Sequence, residues 1–375
     1  MKALILSCSI GGGHNACASA IKEEFEAHGD YCEIADALEF IQPGISSRFS
    51  KLHERVYRYA PALFNGSYRF GENHPGIFKK DSQIYKLFER GSGFLYDYIK
   101  YMGFDTVICT HVFSAYLVTV TKNYYEINSL TCFVATDYTS SPSMNESELD
   151  IYFIPDESIA DLFVSGKITR DKTVASGIPV RKMFYGSIPK GFAKKKEGIP
   201  EDAGHLVMMC GSMGCGPMKK ICEDISRQLS ENEYLTVVCG TNGRLYDELL
   251  RLSEKDGAPL ENVHIKRYVS DVASLLDSAD VYITKPGGIS TTEAAVKRVP
   301  MVLVNAVAGC ESYNMEFFLK LGCALTADGA DTLADVCIKT LRDRDKLCRM
   351  TAAYDAFKAI SGAKTIYDTL DSECI

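Results

Sequence analysis

A chain of 375 residues that is 46% hydrophobic and 24% charged is a soluble globular protein with room for two ordinary domains, each around its own core. Its formal charge of −8 argues against general nucleic-acid binding while leaving space for a local basic patch. No apolar stretch approaches the ~20 residues needed to span a bilayer, so any membrane contact is expected to be peripheral.

The 14 cysteines are scattered, many of them inside apolar runs (Cys109, Cys132, Cys210, Cys239), and no CxxC pair suggests zinc or a redox dithiol. They read as buried thiols of a reducing compartment, which predicts a cytoplasmic protein. The opening MKALILSC is a first strand, too short for a signal peptide. Ala3 to Ser7 leads into Gly11-Gly12-Gly13-His14, and an amphipathic helix follows through Ala16, Ala20, Ile21 and Phe25. His14 near that helix start would be kept neutral by the helix dipole, and a neutral imidazole can serve as a general base. A polar residue serving only the turn is the plainer alternative.

Tyr31 to Ile34 suits a second strand. From Ser46 to Phe104 the balance shifts to ten Lys or Arg against five acids, interleaved with fourteen Phe and Tyr. Cations such as Lys79, Lys80 and Lys86 beside amphipathic rings are what a peripheral protein offers an anionic membrane surface; the rings could equally be core of two or three helices with a solvated basic face. Three strands then deliver polar residues at their carboxyl ends: His14 after the first, His111 after Thr106 to Thr110, and Asp137 after Leu130 to Ala135. Ile151 to Pro155 is a strand, Glu157 to Ser165 a helix, and Thr173 to Ala175 a short strand before Ser176-Gly177-Ile178-Pro179-Val180-Arg181. Residues 182–204, with Pro, Gly and Lys194-Lys195-Lys196, read as an exposed linker.

Beyond it the pattern restarts. Leu206 to Cys210 precedes the glycine loop Gly211-Ser212-Met213-Gly214, Leu235 to Cys239 precedes Gly240, and Val263 to Ile265 ends in Arg267-Tyr268-Val269. Val281 to Thr284 is a buried strand broken by Pro286-Gly287-Gly288, with Ser290, Thr291 and Glu293 opening a helix whose first turn is expected to hold Glu293. Glycines let backbone approach a phosphate, and a carboxylate one turn into the helix suits ribose hydroxyls better than phosphate, so this reads as half of a nucleotide site. A tight strand-to-helix turn without a ligand is the alternative. Pro300 to Val304 is a strand before the loop Ala308 to Asn314, which contains Glu311, and helices follow at about Thr332 to Leu341, Lys346 to Ile360 and Thr365 to Leu370. Asp343-Arg344-Asp345 lies between helical segments as a solvated junction, and no metal site is expected.

The set GGGH at Gly11 to His14, SGIPVR at Ser176 to Arg181, CGSMG at Cys210 to Gly214 and TKPGGISTTEA at Thr284 to Ala294 resembles the diacylglycerol glycosyltransferases, across essentially the whole chain. Monogalactosyldiacylglycerol synthase and the processive diacylglycerol glucosyltransferases belong to that family, and the lipid-linked N-acetylglucosaminyl transferase of peptidoglycan synthesis is a more distant relative. The resemblance implies an α/β GT-B fold of two Rossmann-like domains facing across a cleft: residues 1–177 for the acceptor and membrane, and 178–349 for the UDP-sugar. A last helix within about 350–375 would pack back on the first domain. It also implies transfer of a hexose from UDP-glucose or UDP-galactose to diacylglycerol with inversion, without metal or other cofactor, at the inner face of the cell membrane.

Carried over by position, Gly211, Ser212, Gly214, Gly287, Gly288, Ser290 and Thr291 lie at the donor and Arg181 near the nucleotide. Tyr268 and Val269 hold the uracil, Glu293 takes the ribose hydroxyls, and Glu311 and Asn314 belong to the loop that reads the sugar. Gly12, Gly13 and His111 fall on the acceptor side, with His14 as acceptor base and Asp137 as its orienting partner or the base itself. Two features depart from the family: Cys310 stands where the sugar-reading loop usually has glutamine, and Thr139 to Ser143 replaces a stretch that often carries histidine or tryptophan. A UDP-N-acetylglucosamine 2-epimerase would share the architecture and glycine loops but have no use for the basic aromatic segment. A non-catalytic sensor of UDP-sugar or anionic lipid is the third reading.

Overall fold

The computed structural model of the chain describes residues 1–9, 12–48, 79–80, 82–254, 261–304, 309–329, 331–357 and 359–373. Gly11, Ala308 and much of the basic aromatic segment, from Phe49 to Phe78, therefore lie outside the described residues.

The first sheet begins with β1 (Lys2–Ser7), buried from Ala3 onward because a parallel strand covered by helices on both faces has no solvent side. Then follow α1 (Gly12–Ala27), β2 (Tyr31–Asp36), α2 (Ala37–Ile41), α3 (Gln83–Met102), β3 (Thr106–Cys109), α4 (Val112–Tyr124), β4 (Leu130–Val134), β5 (Ile151–Ile154) and β6 (Thr173–Ala175). The strands pair parallel in the order β2-β1-β3-β4-β5-β6. The strand order thus reverses between β1 and β3. Helix α3 shows how local signals build an element: Ser82 caps it by accepting from Tyr85 N at 3.0 Å, and Gly103 ends it with a φ of +66°. Tyr85, Phe88, Leu95 and Ile99 form its buried stripe.

After α5 (Lys190–Lys196) come the elements of the second sheet: β7 (Gly204–Met209), α6 (Met218–Ser226), β8 (Glu233–Val238), α7 (Gly243–Glu254), β9 (Val263–Lys266), α8 (Val272–Ser278), β10 (Val281–Thr284), α9 (Gly288–Val296), β11 (Met301–Leu303), α10 (Cys310–Leu321) and β12 (Ala324–Thr326). Helices α11 (Leu333–Arg342), α12 (Arg344–Ala353) and α13 (Gly362–Glu373) close the chain. The strand order is β12-β11-β10-β7-β8-β9, again all parallel, with the reversal between β7 and β10. The chain divides into two compact units, Met1–Lys182 with Val307–Tyr313 and Ile360–Ile375, and Met183–Ala306 with Asn314–Ala359. Helix α13 packs on α1 of the first unit, where Tyr367 stacks on His28 at 3.9 Å and donates to Asp30 at 2.7 Å.

Five local expectations need correction. Residues 182–204 are not a bare linker: α5 forms there, and the buried Lys194 donates to Asp280 at 2.8 Å and to Ala203 O at 2.6 Å. Its ammonium is satisfied by a partner remote in sequence while its methylenes fill the core. The stretch before Asn314 is not loop throughout, since α10 starts at Cys310. The helix carrying Glu293 starts at Gly288, which puts that residue in the second turn rather than the first. Glu157–Leu162 is a 3₁₀ turn capped by Asp156, and the helix expected to run to Ile360 ends at Ala353.

Candidate active site

In open parallel sheets, ligands bind beyond the carboxyl ends of the strands where the strand order reverses. Each unit has one such point, and most of the singled-out residues gather at one or the other.

In the first unit it is formed by the ends of β1 and β3, with β4 alongside. Gly12 and Gly13 open α1 directly before His14. The half-buried His14 ring places Nδ1 2.7 Å from Thr110 O and 3.1 Å from Thr136 Oγ1, so the ends of β3 and β4 both hold it. A carbonyl can only accept, so Nδ1 carries the proton of the neutral ring and the lone pair sits on Nε2. Burial lowers the His14 pKa from its ordinary value, opposed by the charge of Asp137 and the hydrogen bond to Thr110 O. The neutral state expected from the helix dipole is thus reached mainly through desolvation.

His111 stands edge-on to His14, with ring centroids 4.5 Å apart. It is the N-cap of α4: its Nδ1 accepts from Phe113 N at 3.0 Å, and Ser114 Oγ donates back to His111 O at 2.6 Å. An accepting Nδ1 puts the proton of a neutral ring on Nε2, the opposite tautomer from His14. The two imidazoles therefore differ in kind, one with an Nε2 base and one with an Nε2 donor.

The second unit's reversal brings the Gly211 loop after β7 beside the Lys285-Pro286-Gly287 turn after β10, through the pairing Ile283↔Met208. Glycine is required at position 214, where φ is +53° and a Cβ would lie 2.2 Å from Cys239 O. Asn242 Nδ2 donates to Gly214 O at 2.9 Å and Thr241 N to Ser212 O at 2.9 Å, which pin the loop to the β8 turn and leave Ser212 exposed. Gly287 is the N-cap of α9 and has no side chain to offer, so the first N–H groups of that helix lack a side-chain cap. Such an end suits an anion.

Around this turn the carried-over residues separate. Glu293 is half-buried in the second turn of α9, and Ser290 is half-buried with its hydroxyl 3.3 Å from Gly287 O. Thr291 is fully buried and donates to Gly287 O at 2.9 Å; Asn314 is fully buried and donates to Pro286 O at 2.9 Å. Both build the turn. Glu311 is buried in the first turn of α10, with Cys310 half-buried beside it. Tyr268 follows β9 with 70% of its surface exposed, an open aromatic face, and Val269 is half-buried.

Arg181 belongs to the first unit, where its Nε donates to Glu23 of α1 at 2.8 Å. Glu23 went unnoticed in the sequence, and so did Lys285, although it sits inside the TKPGG motif. Among the described residues no group of three His, Cys, Asp or Glu side chains converges on a point that could hold a metal.

Lys79, Lys80 and Lys86 are exposed, before and within the first turn of α3. The described rings of that segment divide: Tyr85, Phe88 and Phe104 are core, whereas Phe94 and Tyr101 are exposed. No described helix is long and apolar enough to cross a membrane.

Residues 14–180 match the family profile of monogalactosyldiacylglycerol (MGDG) synthase, and residues 205–369 match that of the glycosyltransferase family 28 C-terminal domain. A processive diacylglycerol beta-glucosyltransferase of Bacillus mycoides is 27% identical over 391 residues, covering 99% of this chain and 94% of the relative. Among solved structures, MurG of Acinetobacter baumannii aligns with a TM-score of 0.64 at 13% identity over 99% of this chain and all of MurG. HepE of Anabaena, solved with UDP and glucose, aligns with a TM-score of 0.57 at 14% identity, over 99% of this chain and 100% of HepE. These likenesses and the two parallel sheets make the fold GT-B and the chain a glycosyltransferase, similar to the monogalactosyldiacylglycerol synthases in its first part, to glycosyltransferase family 28 in its second, and to the processive diacylglycerol glucosyltransferases along its length.

Proposed function

We propose that this glycosyltransferase moves a hexose from UDP-glucose or UDP-galactose to the free hydroxyl of diacylglycerol, with inversion and without a metal, while docked on an anionic membrane surface. The observation that carries the reading is the contrast between the two strand-order reversals, one furnished with a neutral histidine and the other with glycine turns, a helix start and a carboxylate. The names of the Bacillus relatives support diacylglycerol as acceptor.

His14 Nε2 takes the proton of the glycerol hydroxyl as its oxygen attacks the anomeric carbon from the face opposite UDP. The bond from that carbon to the β-phosphate oxygen breaks, and its electron pair leaves with UDP. Asp137, whose charge favours the protonated ring, steadies the imidazolium that forms. Backbone N–H groups of the Gly211 loop and the start of α9 supply what the departing diphosphate needs. Glu293 accepts from the ribose hydroxyls, and Tyr268 covers the uracil.

The test is to incubate the protein with diacylglycerol vesicles and a panel of UDP-sugars and to weigh the lipid product. A hexosyl-diacylglycerol is expected from one or both of UDP-glucose and UDP-galactose. Release of an epimerised sugar without any glycolipid would overturn the proposal.

A further inference from the structure

A base works only if its lone pair is aimed, and a ring held at a single point is free to turn about that point. Nδ1 of His14 is held at two points. Thr110 O, just past the end of β3, lies 2.7 Å away, and Thr136 Oγ1, just past the end of the neighbouring β4, lies 3.1 Å away. The carbonyl can only accept, so the proton is on Nδ1 and the threonine hydroxyl accepts as well. One N–H is thus shared between two neutral oxygens from adjacent strand ends, which together define the plane of the ring.

Thr136 is built to keep its oxygen in place. It is buried, and the residue before it is tied to β5 through Ala135 N to Phe153 O at 2.9 Å. A β-branched side chain also has few χ1 states to choose from. Two titratable groups face the same imidazole: Asp137, which acts on it by charge, and His111, edge-on at 4.5 Å. A charge strengthens a base at a distance but does not set the direction of its lone pair.

We propose that Thr136 is a positioning residue, which by accepting from Nδ1–H fixes the His14 ring plane, aims Nε2 at the acceptor hydroxyl and steadies the imidazolium that forms. The inference rests on the reading of His14 as base and adds to it the residue that aims it. The orienting task that the sequence offers to Asp137 falls on Thr136, and Asp137 keeps the electrostatic one. Thr136 gains and loses no proton: the proton of the acceptor oxygen goes to Nε2, while Nδ1–H stays where it is and becomes a stronger donor as the ring gains charge. Support that grows along the reaction acts on kcat rather than on donor affinity.

The experiment compares wild type with Thr136→Val, which keeps the shape and removes the hydroxyl, and Thr136→Ser, which keeps the hydroxyl. Transfer to diacylglycerol vesicles is followed against pH, UDP is titrated calorimetrically, and the histidine ring nitrogens of isotope-labelled protein are read by NMR. Thr136→Val is expected to lose ~5- to 10-fold in kcat at pH 8 with UDP affinity unchanged. Its His14 ring is expected to titrate at lower pH than in wild type, because a bond that favours the protonated form is gone. Thr136→Ser is expected to restore most of both. Thr136→Ala, smaller than the native residue, reads the same loss should the valine variant misfold. A His14 ring that titrates as in wild type when the hydroxyl is absent overturns the proposal whatever the rate, by making Thr136 packing at a strand end. Equal losses in Thr136→Val and Thr136→Ser overturn it too, by assigning the effect to the methyl group. Transfer by His14→Ala within tenfold of wild type brings down the reading of His14 as base, and this proposal with it.

Discussion

The two units solve one structural problem with different chemistry. Each has a parallel sheet whose strand order reverses next to its first strand, and each opens a helix there on a glycine. The first fills its point with imidazoles fixed by strand-end groups, so that His14 is neutral and its tautomer set. The second fills its point with backbone and leaves an uncapped helix start. One arrangement is fit to accept a proton, the other to hold an anion. The same fold position can be furnished for either task, so the residues and not the fold say which half does what.

The largest effect should come from breaking the proton side alone. His14→Ala is expected to cut transfer to lipid by ~10²- to 10⁴-fold while UDP affinity, measured by calorimetry, stays unchanged. Transfer within tenfold of wild type would reduce His14 to a turn residue.

Next is the approach to the membrane, which tests whether the acceptor side is also the lipid side. Helix α3 runs into β3 through Asp105, whose N–H bonds Lys2 O at 3.0 Å at the amino edge of the sheet. Its 20 residues rise ~30 Å, so its first turn, with Lys86, lies toward the carboxyl edge that holds His14, and the exposed Tyr101 lies toward the other. The Lys79, Lys80 and Lys86 group and the exposed Tyr101 thus mark opposite ends of this stretch. Each surface cation is worth about 1 kcal/mol against an anionic bilayer, so replacing Lys79, Lys80 and Lys86 by glutamate is expected to weaken vesicle docking ~100-fold or more and to release it at lower salt. Sedimentation with anionic vesicles at wild-type strength would move the lipid contact elsewhere on the molecule.

On the anion side, Glu293→Ala is expected to weaken UDP binding by ~1.5 to 3 kcal/mol through lost hydrogen bonds to the ribose, with transfer falling in step. A calorimetric titration indistinguishable from wild type would remove the ribose from that helix turn.

What could be read in the sequence was what local pattern encodes. The strand Val281–Thr284 was legible to the residue because a short apolar β-branched run is closed by Pro286-Gly287-Gly288. Asp271 and Thr332 likewise announce their helices as N-caps. What could not be read depends on partners far along the chain. Burying Lys194 needs Asp280, 86 residues away, so a run of three lysines looked like a solvated linker. Arg181 is met by Glu23, 158 residues earlier, on an outer position of α1 that no periodicity marks. The tautomer of His14 is decided by a carbonyl 96 residues away. The residue types at the site and the neutral state of His14 are visible in the sequence; the tautomer, the desolvation behind that state and the pairings are not.

The smallest effect is also the one that divides the labour within the proton side. Burial holds the His14 pKa below its ordinary value, and Asp137 is the charge that pulls it back up. A base must be unprotonated to work, so kcat/KM should fall on the acid side as pH drops through the His14 pKa. The lowered value means that activity persists to more acid pH than a solvent-exposed histidine would allow. Asp137→Asn removes the negative charge and keeps the shape, leaving only the hydrogen bond to Thr110 O to oppose desolvation, so the acid limb is expected to move to lower pH still. At pH 8, where the ring is neutral in both proteins, transfer should remain within about tenfold of wild type, the loss reflecting a weaker base and a less supported imidazolium. A limb that moves to higher pH would contradict the electrostatic role. Loss of transfer at every pH in Asp137→Asn, with His14→Ala still active, would make the carboxylate the base and the imidazole its neighbour.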